Sequence, residues 1–91
     1  MNYTITFTSS VEKIIAKWKK SNPIQFKKLR NILLAIASDP RKGIGRPEPL
    51  VGGEGIIWSR HISANDRIIY EINELEVNVL VIDLEGHYDD K

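Results

Sequence analysis

The sequence contains no cysteine, only two histidines and no long apolar run. The absence of cysteine excludes disulfides and thiolate metal sites, and it is typical of proteins in reducing compartments. His61 and His87 do not have the spacing of paired metal ligands on a helix, so we expect no metal site and no cofactor. Residues 1–5 lack the basic and then apolar pattern of a secretion signal, and no stretch approaches the ~18 apolar residues of a membrane helix. We therefore expect a cytoplasmic protein that does not associate with membranes.

Acidic residues are scarce in the first half of the chain. Ten basic and two acidic residues between Glu12 and Arg46 give that half a net charge of +8. Three basic and ten acidic residues between Pro47 and Lys91 give the other half −7. Such separation favours a polyanionic partner on the basic half, although a solvated helical face rich in lysine explains the charges equally well. With 91 residues in all, we expect a single domain spanning residues 1–91.

The first 40 residues predict a strand followed by two helices. Tyr3, Ile5 and Phe7 alternate with threonines, as in a half-exposed strand. Ser9 and Glu12 then form a capping-box pattern, which predicts Ser9 as the N-cap of the first helix. Its apolar residues recur at helical spacing, namely Val11, Ile14, Ile15 and Trp18.

A second helix is predicted to begin at Asn22-Pro23, a capping residue followed by proline at the first helical position. Asp39-Pro40 ends it near Ser38. Its apolar stripe consists of Phe26, Leu29, Ile32, Leu33 and Ile36. The short link between the two helices predicts a helical hairpin, and the apolar stripes of both helices are expected to pack on a sheet.

Residues 41–55 are rich in glycine and proline and are predicted to form a long loop, which in a compact domain is usually functional or disordered. Strands are predicted over residues 57–62, 67–72 and 77–84, with a hairpin turn at Asn73-Glu74. The last strand is apolar on both faces, which indicates a central position. The fold class is therefore α+β, in the order β-α-α-β-β-β, with a helical hairpin packed on a largely antiparallel, twisted sheet.

Four segments carry functional groups that the fold does not require. Glu48 lies between Pro47 and Pro49 and is a candidate general base, or else a surface carboxylate in a proline-rich turn. The segment Trp58-Ser59-Arg60-His61 places Ser59 and His61 on one strand face, and Arg60 on the other face is expected to reach solvent or a phosphate. His61 itself is more typical of a surface or hydrogen-bonded histidine than of a catalytic one.

Arg67 opens a strand and is expected to lie on the same face as Ile69, where its guanidinium could bind a phosphate. A salt bridge to Asp83 or Glu71 is the alternative. His87 and Tyr88 follow the last strand, and the ends of an antiparallel pair bring them to the side on which Arg67 lies. A frayed terminus is the alternative for these two residues.

Taken in order, Arg-Pro-Glu-Pro-Leu, Trp-Ser-Arg-His-Ile, Arg-Ile-Ile-Tyr and a near-terminal His-Tyr resemble the YoeB/Txe toxins of the RelE superfamily. The resemblance spans about half the chain, from Pro47 to Tyr88. It implies a RelE-like microbial RNase fold and a ribosome-dependent mRNA endonuclease. It also implies that an antitoxin of the YefM/Axe kind holds the enzyme inactive, and that homodimers can form.

The resemblance also implies roles for individual residues. Glu48 would act as general base, Arg67 would stabilise the charge on the phosphorane, and His87 would protonate the leaving oxygen. Tyr88 would help to position the base or the phosphate. The remaining residues expected to bind RNA are Arg46, Ser59, Arg60, Lys13, Lys17, Lys20, Lys27, Lys28 and Arg30.

The chain departs from the family pattern at its end, where Asp89-Asp90-Lys91 follow Tyr88 and acidic residues crowd His87. Negative neighbours favour the imidazolium form, which suits a general acid, but they weaken the attraction of RNA. Two other functions remain open on the sequence: a non-catalytic toxin of the same superfamily that inhibits DNA gyrase, and a nucleic-acid-binding module without activity.

Overall fold

The computed structural model describes residues 2–86. Strand β1 (Thr4–Phe7) is followed by helices α1 (Ser9–Ser21) and α2 (Pro23–Ser38). Strands β2 (Glu48–Pro49), β3 (Ile57–His61), β4 (Arg67–Asn73) and β5 (Asn78–Glu85) complete the order. The α+β class is confirmed, as is the helical hairpin on a largely antiparallel sheet.

The sheet has the strand order β1-β5-β4-β3-β2, so β5 lies inside it, as its two apolar faces predicted. All neighbouring strands are antiparallel except β1 and β5, which are parallel and are connected through both helices and strands β2 to β4. The two-residue strand β2 was not expected within the long loop. The β4–β5 turn occupies residues 74–77 rather than Asn73-Glu74.

Local capping explains where both helices begin. The Thr8 side chain accepts a hydrogen bond from the Val11 amide at 3.3 Å, so the N-cap of α1 is Thr8, and the prediction of Ser9 was wrong by one residue. Asn22 ends α1 and caps α2, since its side chain accepts from the Gln25 amide. With Pro23 as the first residue of α2, the hairpin turns within a single residue, as the sequence predicted.

Both helices pack on one face of the sheet, where the core lies. Val11 and Trp18 of α1 are buried there with Leu29, Ile32 and Ile36 of α2. The sheet contributes the buried side chains Ile68, Tyr70, Ile72, Val79, Val81 and Leu84. The helical stripes therefore belong to the core. Each large apolar side chain that they remove from water contributes roughly 1.5–3 kcal/mol to the free energy of unfolding. Within residues 2–86 there is no helix that is long and apolar enough to cross a membrane.

A polar cluster fastens the edge of the fold near β1. Glu74, in the β4–β5 turn, accepts a hydrogen bond of 2.8 Å from the Tyr3 hydroxyl and forms an ion pair with Arg41 after α2. The cluster thus connects three segments that are distant in sequence. It lies at the opposite end of β4 from Arg67.

Candidate functional site

The sheet face that the helices leave uncovered, here called the open face, carries Glu48 and Arg67. Glu48 on β2 pairs with Ser59 on β3, and Arg67 on β4 pairs with His61 on β3. Directly paired residues project from the same face, and so do residues two apart on one strand. Glu48 and Arg67 therefore share the open face, two strands apart and two residues along, or ~12 Å between Cα atoms. Both side chains are long enough to approach one group bound between them.

The local sequence fixes the approach to Glu48. The amide of His61 donates to the carbonyl oxygen of Gly45 at 2.7 Å, which holds the loop against β3 just before β2. Only glycine fits there, because Gly45 has a φ of +88° and a Cβ would lie 2.7 Å from the His61 carbonyl oxygen. Pro47 and Pro49 restrict the backbone on both sides of Glu48. The carboxylate is exposed, in a short strand and not in an irregular loop.

Arg67 lies on the predicted face, and its ion-pair partner is Glu85. The two residues are cross-strand partners, with 3.2 Å between Arg67 Nη2 and Glu85 Oε1. The side chains are 37% and 46% exposed, so the pair is accessible from solvent. The sequence suggested Asp83 or Glu71 as alternative partners, but strand register places Glu85 directly opposite Arg67. A phosphate that reaches the guanidinium meets the Glu85 carboxylate beside it.

The structure brings His61, which the sequence interpretation did not count among the catalytic candidates, next to Arg67. It is half-buried at the end of β3, and it is the cross-strand partner of Arg67 on the open face. The alternation of Ser59 and His61 predicted the face correctly. Its proximity to Arg67 could not be predicted, because it depends on the pairing of two strands.

Arg60 does not have the surface position that was expected for an RNA contact. Its side chain is 0% exposed on the core face, where Nε donates to the Tyr70 hydroxyl at 3.1 Å. Its terminal nitrogens donate to the backbone carbonyl oxygens of Asp39, Lys42 and Ile44. Arg60 is therefore a structural residue that joins the α2–β2 loop to the sheet, and the prediction that it contacts RNA is wrong because its side chain is fully buried. The same prediction for Ser59 is wrong because Ser59 is 1% exposed.

Backbone carbonyl dipoles stabilise the buried positive charge of Arg60. Asp39 is the C-cap of α2, so the guanidinium lies at the negative end of that helix. Burial raises the pKa of Tyr70 more than the neighbouring Arg60 lowers it. The protonated hydroxyl donates to the Pro40 carbonyl oxygen at 2.6 Å. These contacts hold the segment that leads to Arg46, Pro47 and Glu48.

The basic residues of the helices lie on the opposite side of the molecule from Glu48 and Arg67. Seven of them are exposed on the helical layer: Lys19 and the six that were expected to bind RNA, namely Lys13, Lys17, Lys20, Lys27, Lys28 and Arg30. Because the sheet separates them from the open face, they cannot contact a phosphate that Glu48 and Arg67 share. Arg46 is the exception, since it is exposed two residues before Glu48.

The open face itself is acidic over the described strands. Register places Asp83 and Glu71 on the same face as Glu48 and Glu85, whereas Arg67 and His61 are the basic groups beside them. The electrostatic attraction of an anionic group to this face therefore depends strongly on Arg67.

The predictions for His87 and Tyr88 lie outside the described residues. Strand β5, which leads to them, ends at Glu85, the residue paired with Arg67. Gly86 follows with a φ of +137°.

Comparisons with known proteins identify the family. Residues 7–88 match the family described as YoeB-like toxin of bacterial type II toxin-antitoxin system. The chain is 33% identical to Toxin YoeB of Streptomyces coelicolor, over 92% of this chain and 98% of that protein. It is 39% identical to Toxin YoeB of Synechocystis, over 78% of this chain and 81% of that protein.

Among solved structures, a YoeB/ParE toxin from Agrobacterium tumefaciens is similar, with a TM-score of 0.83 and 27% identity over 93% of this chain and 99% of that one. The toxin chain of a YoeB-YefM complex from Staphylococcus aureus shares the fold, with a TM-score of 0.80 and 24% identity over 97% and 100% of the two chains. The family match and the sequence identities both extend over most of the chain. The chain belongs to the YoeB-like toxins of bacterial type II toxin–antitoxin systems.

Proposed function

We propose that this toxin is a ribosome-dependent mRNA endonuclease whose active site is the open face around Glu48 and Arg67. One observation carries the proposal: strand register places a carboxylate and a guanidinium on one face, beside the strand end that leads to His87. Cleavage of a phosphodiester can use a carboxylate as general base and a guanidinium that stabilises negative charge, provided that both groups reach the same phosphate. Action on the ribosome goes with a cytoplasmic location.

In the proposed reaction, RNA supplies its own nucleophile. Glu48 takes the proton from the 2′-hydroxyl, the 2′-oxygen attacks phosphorus, and Arg67 stabilises the charge on the phosphorane oxygens. The bond to the 5′-oxygen breaks as His87 gives that oxygen a proton. The products are a 5′-hydroxyl and a 2′,3′-cyclic phosphate; attack of a water molecule on phosphorus, with return of a proton to the 2′-oxygen, converts the cyclic phosphate into a 3′-phosphate. Because the nucleophile is part of the substrate, the chemistry needs neither a metal ion nor a covalent intermediate.

The remaining surfaces have separate proposed roles. Arg46 contacts RNA near the scissile phosphate, and Tyr88 positions the base or the phosphate. The basic helical layer, on the other side of the sheet, binds ribosomal RNA through a salt-sensitive electrostatic contact. An antitoxin of the YefM kind neutralises the toxin, and two copies form a homodimer. Solved relatives include a YoeB-YefM complex and a YoeB dimer from Staphylococcus aureus, which supports both associations.

The test is mRNA cleavage mapped by primer extension in cells that express the wild type or one of the variants Glu48→Ala, Arg67→Ala and His87→Gln. Cuts near start codons or at ribosomal A-site positions are expected with the wild type only. Each lost acid–base group should lower the cleavage rate by roughly 10²–10⁴-fold. Glu71→Ala is the matched control, since it removes a carboxylate of the open face ~13 Å from Arg67 along β4. Cutting that persists in all three variants would falsify the assignment.

A further inference from the structure

The turn between β3 and β4 contains a buried carboxylate whose contacts lie next to the proposed active site. Asp66 is 8% exposed, and it directly precedes Arg67. Its backbone carbonyl oxygen accepts from the Ile62 amide at 2.8 Å, and its Oδ2 accepts from the Ser63 hydroxyl. A buried carboxylate is costly unless it is hydrogen-bonded, and the Ser63 hydroxyl supplies such a bond to Asp66.

The second oxygen of that carboxylate faces Gly86. A Cβ on Gly86 would overlap Asp66 Oδ1 and would lie 2.8 Å from the carbonyl oxygen of Asn65. The φ of Gly86 is +137°, a backbone conformation that residues with side chains rarely adopt. Two independent constraints, close approach and backbone angle, therefore require glycine at the position just before His87.

The contact lies at the Arg67 end of the sheet. Glu85, one residue before Gly86, is paired with Arg67, one residue after Asp66. The β3–β4 turn and the end of β5 thus both lie next to Arg67. The backbone position of Gly86, the last described residue, is therefore restricted by its close approach to the Asp66 carboxylate.

We propose that Asp66 is a positioning residue that acts through Gly86 to direct His87 toward the scissile phosphate. The inference rests on the proposed function, in which His87 protonates the leaving 5′-oxygen. Asp66 is buried and does not contact RNA itself, so its loss should slow the chemical step while leaving substrate binding nearly unchanged. A displacement of about 1 Å in a catalytic group is enough to reduce a rate by about 10²-fold.

The test compares two versions of a short mRNA on programmed ribosomes under single-turnover conditions. One has the normal 5′-oxygen at the mapped cleavage site, and the other has sulfur in its place. A thiolate leaves without help from a general acid, because a thiol has a pKa of about 8.5, far below that of an alcohol. The sulfur substrate therefore rescues defects in the general acid, but not defects in the general base.

Asp66→Asn and Gly86→Ala are each expected to lower the cleavage rate on the oxygen substrate by about 10- to 100-fold. The half-saturating ribosome concentration should change less than about twofold, and the rate on the sulfur substrate should return to near the wild-type value. Asp39→Asn is the control for Asp66, being the same substitution at an exposed residue that lies at the C-cap of α2 and not on the open face. Gly52→Ala is the control for Gly86, because Gly52 also has a positive φ, of +84°, but a Cβ added to it would have no atom within 4 Å.

Two reference variants separate the inference from the proposed function. His87→Gln must be slow on oxygen and rescued by sulfur, whereas Glu48→Gln must be slow on both; any other result contradicts the proposed function. If both references behave as expected but the variants of Asp66 and Gly86 cleave normally, or stay slow with sulfur, the positioning role is wrong. Circular dichroism checks folding, and if Asp66→Asn does not fold, Gly86→Ala decides the outcome by the same criteria.

Discussion

Replacing Glu85 with glutamine should strengthen RNA binding, because Glu85 competes with phosphate for Arg67. The carboxylate lies 3.2 Å from Arg67 Nη2, and the two side chains are 46% and 37% exposed. Exposed ion pairs contribute only ~0.2–1 kcal/mol, so RNA can displace this one. A phosphate on the same guanidinium would still be repelled by the carboxylate. Two unit charges ~5 Å apart in a water-like medium repel by about 0.8 kcal/mol.

Loss of that repulsion should tighten RNA binding about threefold to fivefold. The assay is fluorescence anisotropy with a short labelled RNA, in a His87→Gln background that prevents cleavage, over a salt range of roughly 25–200 mM. The advantage of Glu85→Gln should shrink as salt rises, since the Debye length falls to ≈ 8 Å at 0.15 M. Glu71→Gln carries the same charge change on the same face, but it lies ~13 Å from Arg67 and should have little effect. Equal effects of the two variants, or weaker binding with Glu85→Gln, would refute the reasoning.

Two further predictions concern stability. Arg60→Met removes the donors to three loop carbonyl oxygens and to Tyr70, and should lower the free energy of unfolding by about 3 kcal/mol in urea titrations. The hydrogen bond from Tyr3 and the ion pair with Arg41 lower the pKa of Glu74, so their stabilisation is present above pH 4.5 and is lost as pH falls through the folded-state pKa. Glu74→Gln should therefore reduce stability at pH 7 and leave the urea midpoint closer to that of the wild type near pH 3.

The controls for these two predictions are exposed residues of the same type. Arg30→Met, on the outer surface of α2, should change the free energy of unfolding by no more than ~0.5 kcal/mol. A similar loss for Arg30→Met and Arg60→Met would contradict the structural role of Arg60. Glu54→Gln is the control for Glu74. If the stability gap between the wild type and Glu74→Gln stays constant from pH 7 to pH 3, the linkage argument fails.

Local sequence determined the elements that positioned the site. Helical spacing identified the stripes of α1 and α2, and Asn22-Pro23 marked the turn between them, because capping and proline geometry act within a few residues. Strand alternation correctly separated His61 from Arg60 on β3, and it grouped Arg67 with Ile69 on β4. These properties depend on the period of the backbone and on the side chains next to each other in sequence.

Tertiary structure decided what each of those side chains meets. The sequence placed Arg60 on the same strand face as Trp58 and suggested that it reaches solvent or a phosphate. It could not show that three carbonyl oxygens at and after the end of α2 would meet the guanidinium. Nor could it show that Glu85 lies opposite Arg67, that His61 lies beside it, or that Asp66 meets Gly86. Strand register and the packing of α2 against the sheet bring together residues 6 to 21 positions apart. Such contacts depend on how the whole core packs, and a local sequence pattern does not specify that packing.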